Sequence, residues 1–284
     1  MLAYEKLIYT NQLDESIELS LSSDFVLETF DGRTGLSNSI VIEKGVKQIG
    51  YTFISNNIED RDMTLIGKIF DDKEDNKAKL IKVCNPLLKG TLTYTNSKMK
   101  IERSIECHVT KCIVGASDGA LKFSISLTAT EPFFKETEIV KELALVINLL
   151  EMPIDITSDG IEFGLLTGKT ATIINEGDVQ TPLIIEMIGV LTNPIVTNTN
   201  TGEYIKVNTS LAANERLLIY TAYGNKKVLK IDANGTVTNA FGLIDLSSKF
   251  FSLETGSNVI TYDADSGANE TTLLLHYNNQ YLGV

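Results

Sequence analysis

Residues 123–135 read Phe-Ser-Ile-Ser-Leu-Thr-Ala-Thr-Glu-Pro-Phe-Phe-Lys, an apolar/polar alternation that stops at Glu131-Pro132-Phe133-Phe134. A period of two places Phe123, Ile125, Leu127 and Ala129 on one face of a half-buried strand. Pro132 has no N–H to give to a ladder and ends that strand. The stretch therefore reads as the closing strand of a β-rich domain, expected to span residues 1–134.

Working outward, residues 17–21 and 25–30 read as short strands, the second followed by the Asp31-Gly32 turn signal, and residues 63–70 read as another. One helix is expected after them. Asp71 or Asp72 can cap it, acidic residues fill its first turn, Leu80, Ile81 and Cys84 recur at helical spacing, and Asn85-Pro86 stops it. Residues 90–95 and 101–109 then read as paired strands with Asn96-Ser97 in the turn. A single helix within a run of strands predicts a β-rich domain with a minor α part.

Residues 136–151 support two readings, since an acidic start and good helix formers favour a helix while Val140, Val146 and Ile147 suit a strand. They are taken as a connector over 135–152. From 153 to 284 the pattern is β, with strands expected at 171–174, 183–188, 204–207, 216–221, 227–231, 258–262 and 271–277. Asn234-Gly235 is the clearest hairpin turn, and short strands between closely spaced turns predict a sandwich.

The 284 residues are 43% hydrophobic and 22% charged, close to globular norms and enough for two domains. A formal net charge of -12 favours solubility and opposes a groove that grips nucleic acid by its phosphates. Met1-Leu2-Ala3-Tyr4-Glu5-Lys6 lacks the basic start and apolar core of a secretion signal, and no run approaches the roughly 18 apolar residues of a membrane span. Assembly in cytoplasm, without a membrane, is the expectation. Three cysteines, Cys84, Cys107 and Cys112, are an odd and sparse set that reads as reduced thiols.

Candidate chemistry is thin. The run from Gly164 through Gly168, Lys169 and Thr170 misses the phosphate-loop spacing by one residue and continues as a strand pattern, so a glycine-rich β-turn is expected. Cys107, His108 and Cys112 suggest a metal, yet residues five apart on a regular strand face opposite sides and converge only across a bulge. Residues 263–270 have the oxygen density of a calcium loop without its glycine and distant glutamate; a solvated loop is expected, with weak calcium binding left open. His108 and His276 show no triad that sequence can recognise, and paired carboxylates are read as solvating charge. The chain has no Trp, which lowers the case for a sugar platform. Tyr204, Tyr220, Tyr223, Tyr262, Tyr277 and Tyr281 read instead as strand and interface residues. No catalytic residue, metal or cofactor is expected.

The order of segments resembles the distal tail proteins of long-tailed bacteriophages. In the first region the resemblance rests on the run from Arg61 to Gly67, on Cys84-Asn85-Pro86, on residues 90–94, and on the closing Pro132-Phe133-Phe134. Glu131 stands there where an Asp is commoner. In the second region it rests on residues 160–164 ending in Gly164, on Asn175, Gly177 and Asp178 within residues 174–182, on Asn193-Pro194, on Thr201-Gly202, and on residues 281–284.

The resemblance implies a mainly β protein with an N-terminal ring-forming domain carrying one short helix (1–134), a connector (135–152) and a C-terminal galectin-like β-sandwich (153–284). It implies a structural virion protein, not an enzyme, at the tail tip or baseplate. Six copies would form a ring stacked on the tail-tube protein above and the tail-associated hub protein below. Receptor-binding or fibre proteins would engage the second domains, and DNA would pass through the lumen without specific binding. The strand at residues 25–30 and the loop at 32–39 are expected at the ring interface, and residues 1–134 alone are expected to form the ring. Other readings are a carbohydrate-binding module for host wall polysaccharide and the same hub module in a contractile or bacteriocin-like tail; a wall-degrading enzyme is disfavoured.

Overall fold

Apolar residues at every second position build the first unit. The computed structural model describes residues 4–117, 119–147, 165–167, 169–268 and 271–284, and the chain divides into a unit of Met1–Thr137 with Gln280–Val284 and a unit of Glu138–Asn279. The first contains β1 (Glu5–Asn11), β2 (Ser16–Ser20), β3 (Phe25–Asp31), β4 (Asn38–Glu43), β5 (Thr52–Ile58), β6 (Arg61–Ile69), α1 (Lys73–Val83), β7 (Lys89–Asn96), β8 (Ile101–Ser117), β9 (Ala120–Ala129) and β10 (Phe134–Lys135).

Strands β8-β7-β1-β2-β3-β6-β9 are hydrogen-bonded in that order, and β9 also pairs with β8, so the sheet closes on itself. Closure covers most strand edges, with β2 and β3 joined only at Leu19–Phe25 and Ser20–Val26. Alternate residues fill the inside: Leu7 and Tyr9, Leu65 and Ile69, Leu92 and Tyr94, and Phe123, Ile125, Leu127 and Ala129 are all buried in one cluster. The face read from residues 123–129 is borne out.

The close approach of two strands explains Gly67. It pairs with Phe123 across β6 and β9, and a Cβ there would lie 2.3 Å from the Val26 carbonyl oxygen and 2.5 Å from the Phe123 ring. Phe123 in turn meets Phe25 edge-on, with ring centroids 6.3 Å apart. Gly67→Ala is expected to destabilise the first unit by about 1–3 kcal/mol through overpacking. A urea midpoint equal to that of the parent would contradict this.

Helix α1 stops where Asn85-Pro86 predicts. The Asn85 Oδ1 accepts the Leu87 N–H at 3.0 Å, a local turn that competes with helix, and Pro86 follows. Asp72 occupies the N-cap position but its side chain makes no capping bond, because its backbone is left-handed at φ 42°. Leu80, Val83 and Cys84 are buried, as is Asn76, whereas Ile81 is exposed. The helical spacing was right and one of its members was not.

Two elements depart from the sequence reading. The strand at 123–129 is followed by β10, which re-enters the sheet after the Pro132 break because Phe134 is buried. A strand at Gln280–Tyr281 then pairs onto β10, Phe134 opposite Tyr281, so residues 280–284 belong with the first unit rather than with a sandwich. In addition β8 runs well past residue 109, with a bulge between Val109 and Lys111.

Among the described residues the second unit has two larger sheets and a short two-stranded one around one core. It contains β11 (Ile139–Ile147), β12 (Leu165–Thr167), β13 (Thr170–Asn175), β14 (Leu183–Ile188), β15 (Leu191–Thr192), β16 (Ile195–Asn198), β17 (Glu203–Lys206), β18 (Ser210–Leu211), β19 (Arg216–Tyr220), β20 (Lys227–Ile231), β21 (Val237–Asn239), β22 (Gly256–Asp263) and β23 (Thr272–Tyr277). One sheet has the order β12-β11-β23-β14-β19-β20-β21 and the other β13-β22-β16-β17. Ile185, Met187, Ile219 and Leu275 from the first sheet share a core with Ile173, Val196, Ile205 and Ile260 from the second.

Residues 139–147, where helix and strand readings stood level, are strand β11, which pairs with β23. The hairpin at Asn234-Gly235 joins β20 to β21. Asp232 Oδ1 accepts the N–H groups of Asn234 and Thr236 at 2.9 and 2.8 Å, and Gly235 takes φ +86°, a value that suits glycine.

Candidate assembly surface

Among the described residues, strands β4 and β5 pair only with each other. Their hairpin begins after the Asp31-Gly32 turn and closes with the Glu59 N–H donating to the Ser37 carbonyl at 3.0 Å. Its tip is tied by Gln48, whose Oε1 accepts the Gly45 N–H at 2.8 Å and whose Nε2 donates to Thr52 Oγ1 at 2.9 Å.

A bulge decides what the hairpin presents. The register runs Asn38 opposite Ile58, Ile40 opposite Asn56 and Val41 opposite Ser55, then shifts so that Ile42 faces Phe53. Without the shift Phe53 would share a face with Ser55 and Asn57. With it, Ile40, Ile42, Phe53 and Ile58 stand on one face. They are 57%, 49%, 60% and 45% exposed, and Val46 and Ile49 at the tip are fully exposed.

An isolated two-stranded hairpin is marginal in water, and a contiguous uncovered apolar face marks an interaction site. This surface was missed in the sequence. In the expected interface strand at 25–30, Phe25 and Leu27 are buried while Glu28, Thr29 and Asp31 are exposed, and β3 pairs with β6 along its length and with β2 at Phe25 and Val26. The loop at 32–39 leads into the hairpin. The available signal was the apolar runs on either side of the glycine-containing segment 45–50.

The structure brings together three of the residues singled out in the first region. Arg61, 2% exposed, donates Nε to the Pro132 carbonyl at 2.7 Å, Nη1 to that of Gly32 at 2.6 Å and Nη2 to that of Leu282 at 2.5 Å. Its guanidinium carbon lies 4.9 Å from the centroid of the Phe134 ring. Burial lowers its pKa, and the carbonyl oxygens and the ring face replace lost water. Gly32, at φ +78°, is the residue that allows this approach, since a Cβ would meet the Asp62 carbonyl oxygen at 2.2 Å.

Two more arginines hold the same segment. Arg103 donates Nη1 to the Gly283 carbonyl at 2.9 Å and lies over the Tyr281 ring, and Arg33 donates Nε to the Val284 carbonyl at 3.3 Å. Three of the four arginines in the chain thus grip residues 281–284. Phe133 is half-buried beside this cluster in sequence, while Asn85 and Pro86 stand apart at the end of α1.

In the second unit the singled-out residues shape separate turns. Asn175 donates Nδ2 to the carbonyls of Val179 and Leu253 and accepts the Gly177 N–H. Asn193, at φ 49°, donates Nδ2 to Asp265, and the Pro194 carbonyl accepts the Val207 N–H. Thr201 Oγ1 accepts the Glu203 N–H, and Gly202 takes φ +73°. Asp178 lies in the same loop as Gly177. Gly164, with the rest of residues 160–164, lies outside the described residues.

The other candidates resolve as contacts within the fold. Asp263 pairs with Lys169 at 2.8 Å, which lowers its pKa, and Asp265 accepts from Asn193 at 2.7 Å; Asn269 and Glu270 lie outside the described residues. Among the described residues no group of three or more His, Cys, Asp or Glu is placed to hold a metal ion. His276 sits between Glu186, at 3.2 Å, and Glu138, at 3.7 Å, a neighbourhood that sequence distance concealed. Tyr262, Tyr277 and Tyr281 are buried and Tyr223 is exposed.

Residues 176–281 match the family model for the siphovirus-type tail component, C-terminal domain. The whole chain is similar to the Dit protein of phage SPP1, described as a paradigm of the hub adsorption apparatus in phages infecting Gram-positive hosts. That comparison gives a TM-score of 0.69 at 11% identity, over 97% of this chain and 99% of that one. Chains of the phage p2 baseplate in its activated conformation are also similar. With Ca the TM-score is 0.52 at 11% identity, and with Sr it is 0.53 at 10%; 99% of each chain is covered in both. No curated protein matches the sequence. At these identities the structural likeness is one of fold.

Proposed function

Taking as premise that residues 176–281 carry the siphovirus-type tail component C-terminal domain, we propose that this chain is a distal tail hub, a structural protein of the virion tail tip. Six copies form a ring through their first units. The ring joins the tail-tube protein on one side to the tail-associated hub protein on the other. The second unit, read as galectin-like, supports receptor-binding or fibre proteins, and the particle is assembled in the host cytoplasm.

The observation that carries this reading is the apolar face of the β4–β5 hairpin. A closed ring needs a heterologous contact, in which a projecting element of one copy covers a different patch on the next. A hairpin with Ile40, Ile42, Phe53 and Ile58 uncovered in the single chain supplies the projecting half. DNA passes through the lumen without specific binding, and an acidic lining lets it slide by repulsion.

Light scattering on the purified protein tests the reading. A six-chain mass is the expected result, and a strictly monomeric protein that binds wall polysaccharide on a glycan array would favour the carbohydrate-binding alternative. A cryo-EM ring with a basic lumen would remove the sliding arrangement.

A further inference from the structure

Exposed apolar side chains of the second unit gather in two neighbouring loops. Tyr223 and Leu246 are fully exposed, and Phe241 and Leu243 are close to half exposed. The first loop is the turn from β19 to β20, closed by the Asn225 N–H donating to the Ala222 carbonyl at 3.0 Å. The second runs from Ala240 to Phe250. Its start is held on β20 by the Ala240 N–H, which donates to the Val228 carbonyl at 2.8 Å. Its later part lies along β17, where the Asp245 N–H donates to the Lys206 carbonyl at 2.9 Å and the Lys249 N–H to that of Tyr204 at 2.8 Å.

Two rings and a lysine join these loops. Phe241 and Phe250 stack with centroids 5.9 Å apart and planes 10° from parallel, which brings the ends of the second loop together. Lys226 of the first loop places Nζ 5.4 Å from the Phe250 centroid. The leucines between the stacked rings therefore stand outside on a pinned backbone: the Leu243 carbonyl accepts the Asn208 N–H at 2.7 Å, and Asp245 Oδ1 accepts the Ser247 N–H at 2.9 Å. Apolar side chains that a folded loop keeps in water mark an interaction site.

The charge beside them is of the minority sign. The chain carries a formal -12, yet Asp245 is the one acidic residue in 222–227 and 240–250. Lys226 and Lys227 form no ion pair among the described residues, and the exposed Lys249 reaches Glu203 only at 3.8 Å.

We propose that these two loops bind an acidic segment of another protein, whose apolar side chains pack on Tyr223, Phe241, Leu243 and Leu246 while its carboxylates meet Lys226, Lys227 and Lys249. Leucine tips offer a sugar ring no flat face to stack on, and an anionic membrane repels a chain of this net charge. An acidic, apolar peptide uses both halves of the surface, burial supplying affinity and opposite charge supplying selectivity. Its place in a tail rests on the hub reading, in which receptor-binding or fibre proteins engage the second unit.

The test adds to the full chain a fluorescent synthetic peptide in which Asp and Glu alternate with Leu and Phe, and follows polarisation. Saturable binding that weakens about tenfold from low to high salt is expected. Tyr223→Asp with Leu246→Asp should weaken it by about tenfold or more, with the unfolding midpoint unchanged because both side chains are fully exposed. Lys226→Glu with Lys227→Glu should weaken it as much and flatten the salt dependence. The same peptide with Lys in place of its acids should not bind.

No binding, equal binding of the lysine peptide, or binding indifferent to Tyr223→Asp and Leu246→Asp would overturn the proposal. So would a preference for wall polysaccharide or phosphatidylglycerol vesicles over the peptide, or self-association that those two substitutions abolish. Peptide binding by a monomeric protein would leave this surface standing without the hub, and a six-chain mass without peptide binding would leave the hub standing without this surface.

Discussion

Arg61→Ala is expected to cost the first unit about 3–5 kcal/mol, at the upper end of what one substitution does. The reason is the company that Arg61 keeps. Its side chain supplies donors to three carbonyls from chain segments around residues 32, 132 and 282, and alanine leaves those acceptors without their charged partner. Arg61→Lys is expected to recover only a minor part, since an ammonium cannot reproduce the planar fork or the stack on Phe134. Deleting residues 280–284 should reproduce much of the loss by taking away the Leu282 carbonyl together with the strand on β10. Calorimetry and amide exchange across β6 and β10 measure both. An Arg61→Ala protein with parental stability would show that the cluster is ornamental.

The second large effect is on assembly with folding intact. Ile40→Asp, Ile42→Asp and Phe53→Asp together plant three carboxylates on the one apolar face of the hairpin. Buried against a neighbour, each would lose its water without a partner, a penalty of several kcal/mol. In the single chain the same positions are about half exposed, so the unfolding midpoint should hardly move. On the hub reading, the expected outcome is a folded monomer where a six-chain mass is expected of the parent. Light scattering with circular dichroism on the same sample decides it, and a ring that survives all three substitutions moves the interface elsewhere.

Much of the scaffold was legible because it rests on local periodicity. Phe123 to Ala129 alternate because one face is buried, and residues 183–188 and 227–231 coincide with β14 and β20 for the same reason. Asn85-Pro86 ends α1 through turn chemistry that acts within a few residues. What stayed hidden depends on long-range pairing. Which face of β3 is buried is fixed by its pairing with β2 and β6 rather than by its own composition. The hairpin face depends on a bulge, and a one-residue shift of register exchanges the faces of a strand. Arg61 and Pro132 were singled out separately, but nothing near either residue announced that both meet residue 282. The expectation that residues 1–134 suffice for the ring now has a physical difficulty, because that fragment lacks the strand at Gln280–Tyr281.

Pairing of Phe134 with Tyr281 makes the second unit an insertion, entered and left through two adjacent strands of the first. During synthesis Arg61 is present long before the Leu282 carbonyl, so the first unit reaches its finished form only after the whole insertion has emerged. The same topology sets a rule for exchanging the second unit. Adjacent strands lie about 4.8 Å apart, so any domain whose two ends come that close can replace residues 138–279 without disturbing the arginine clamp. A domain with distant ends would pull the clamp open.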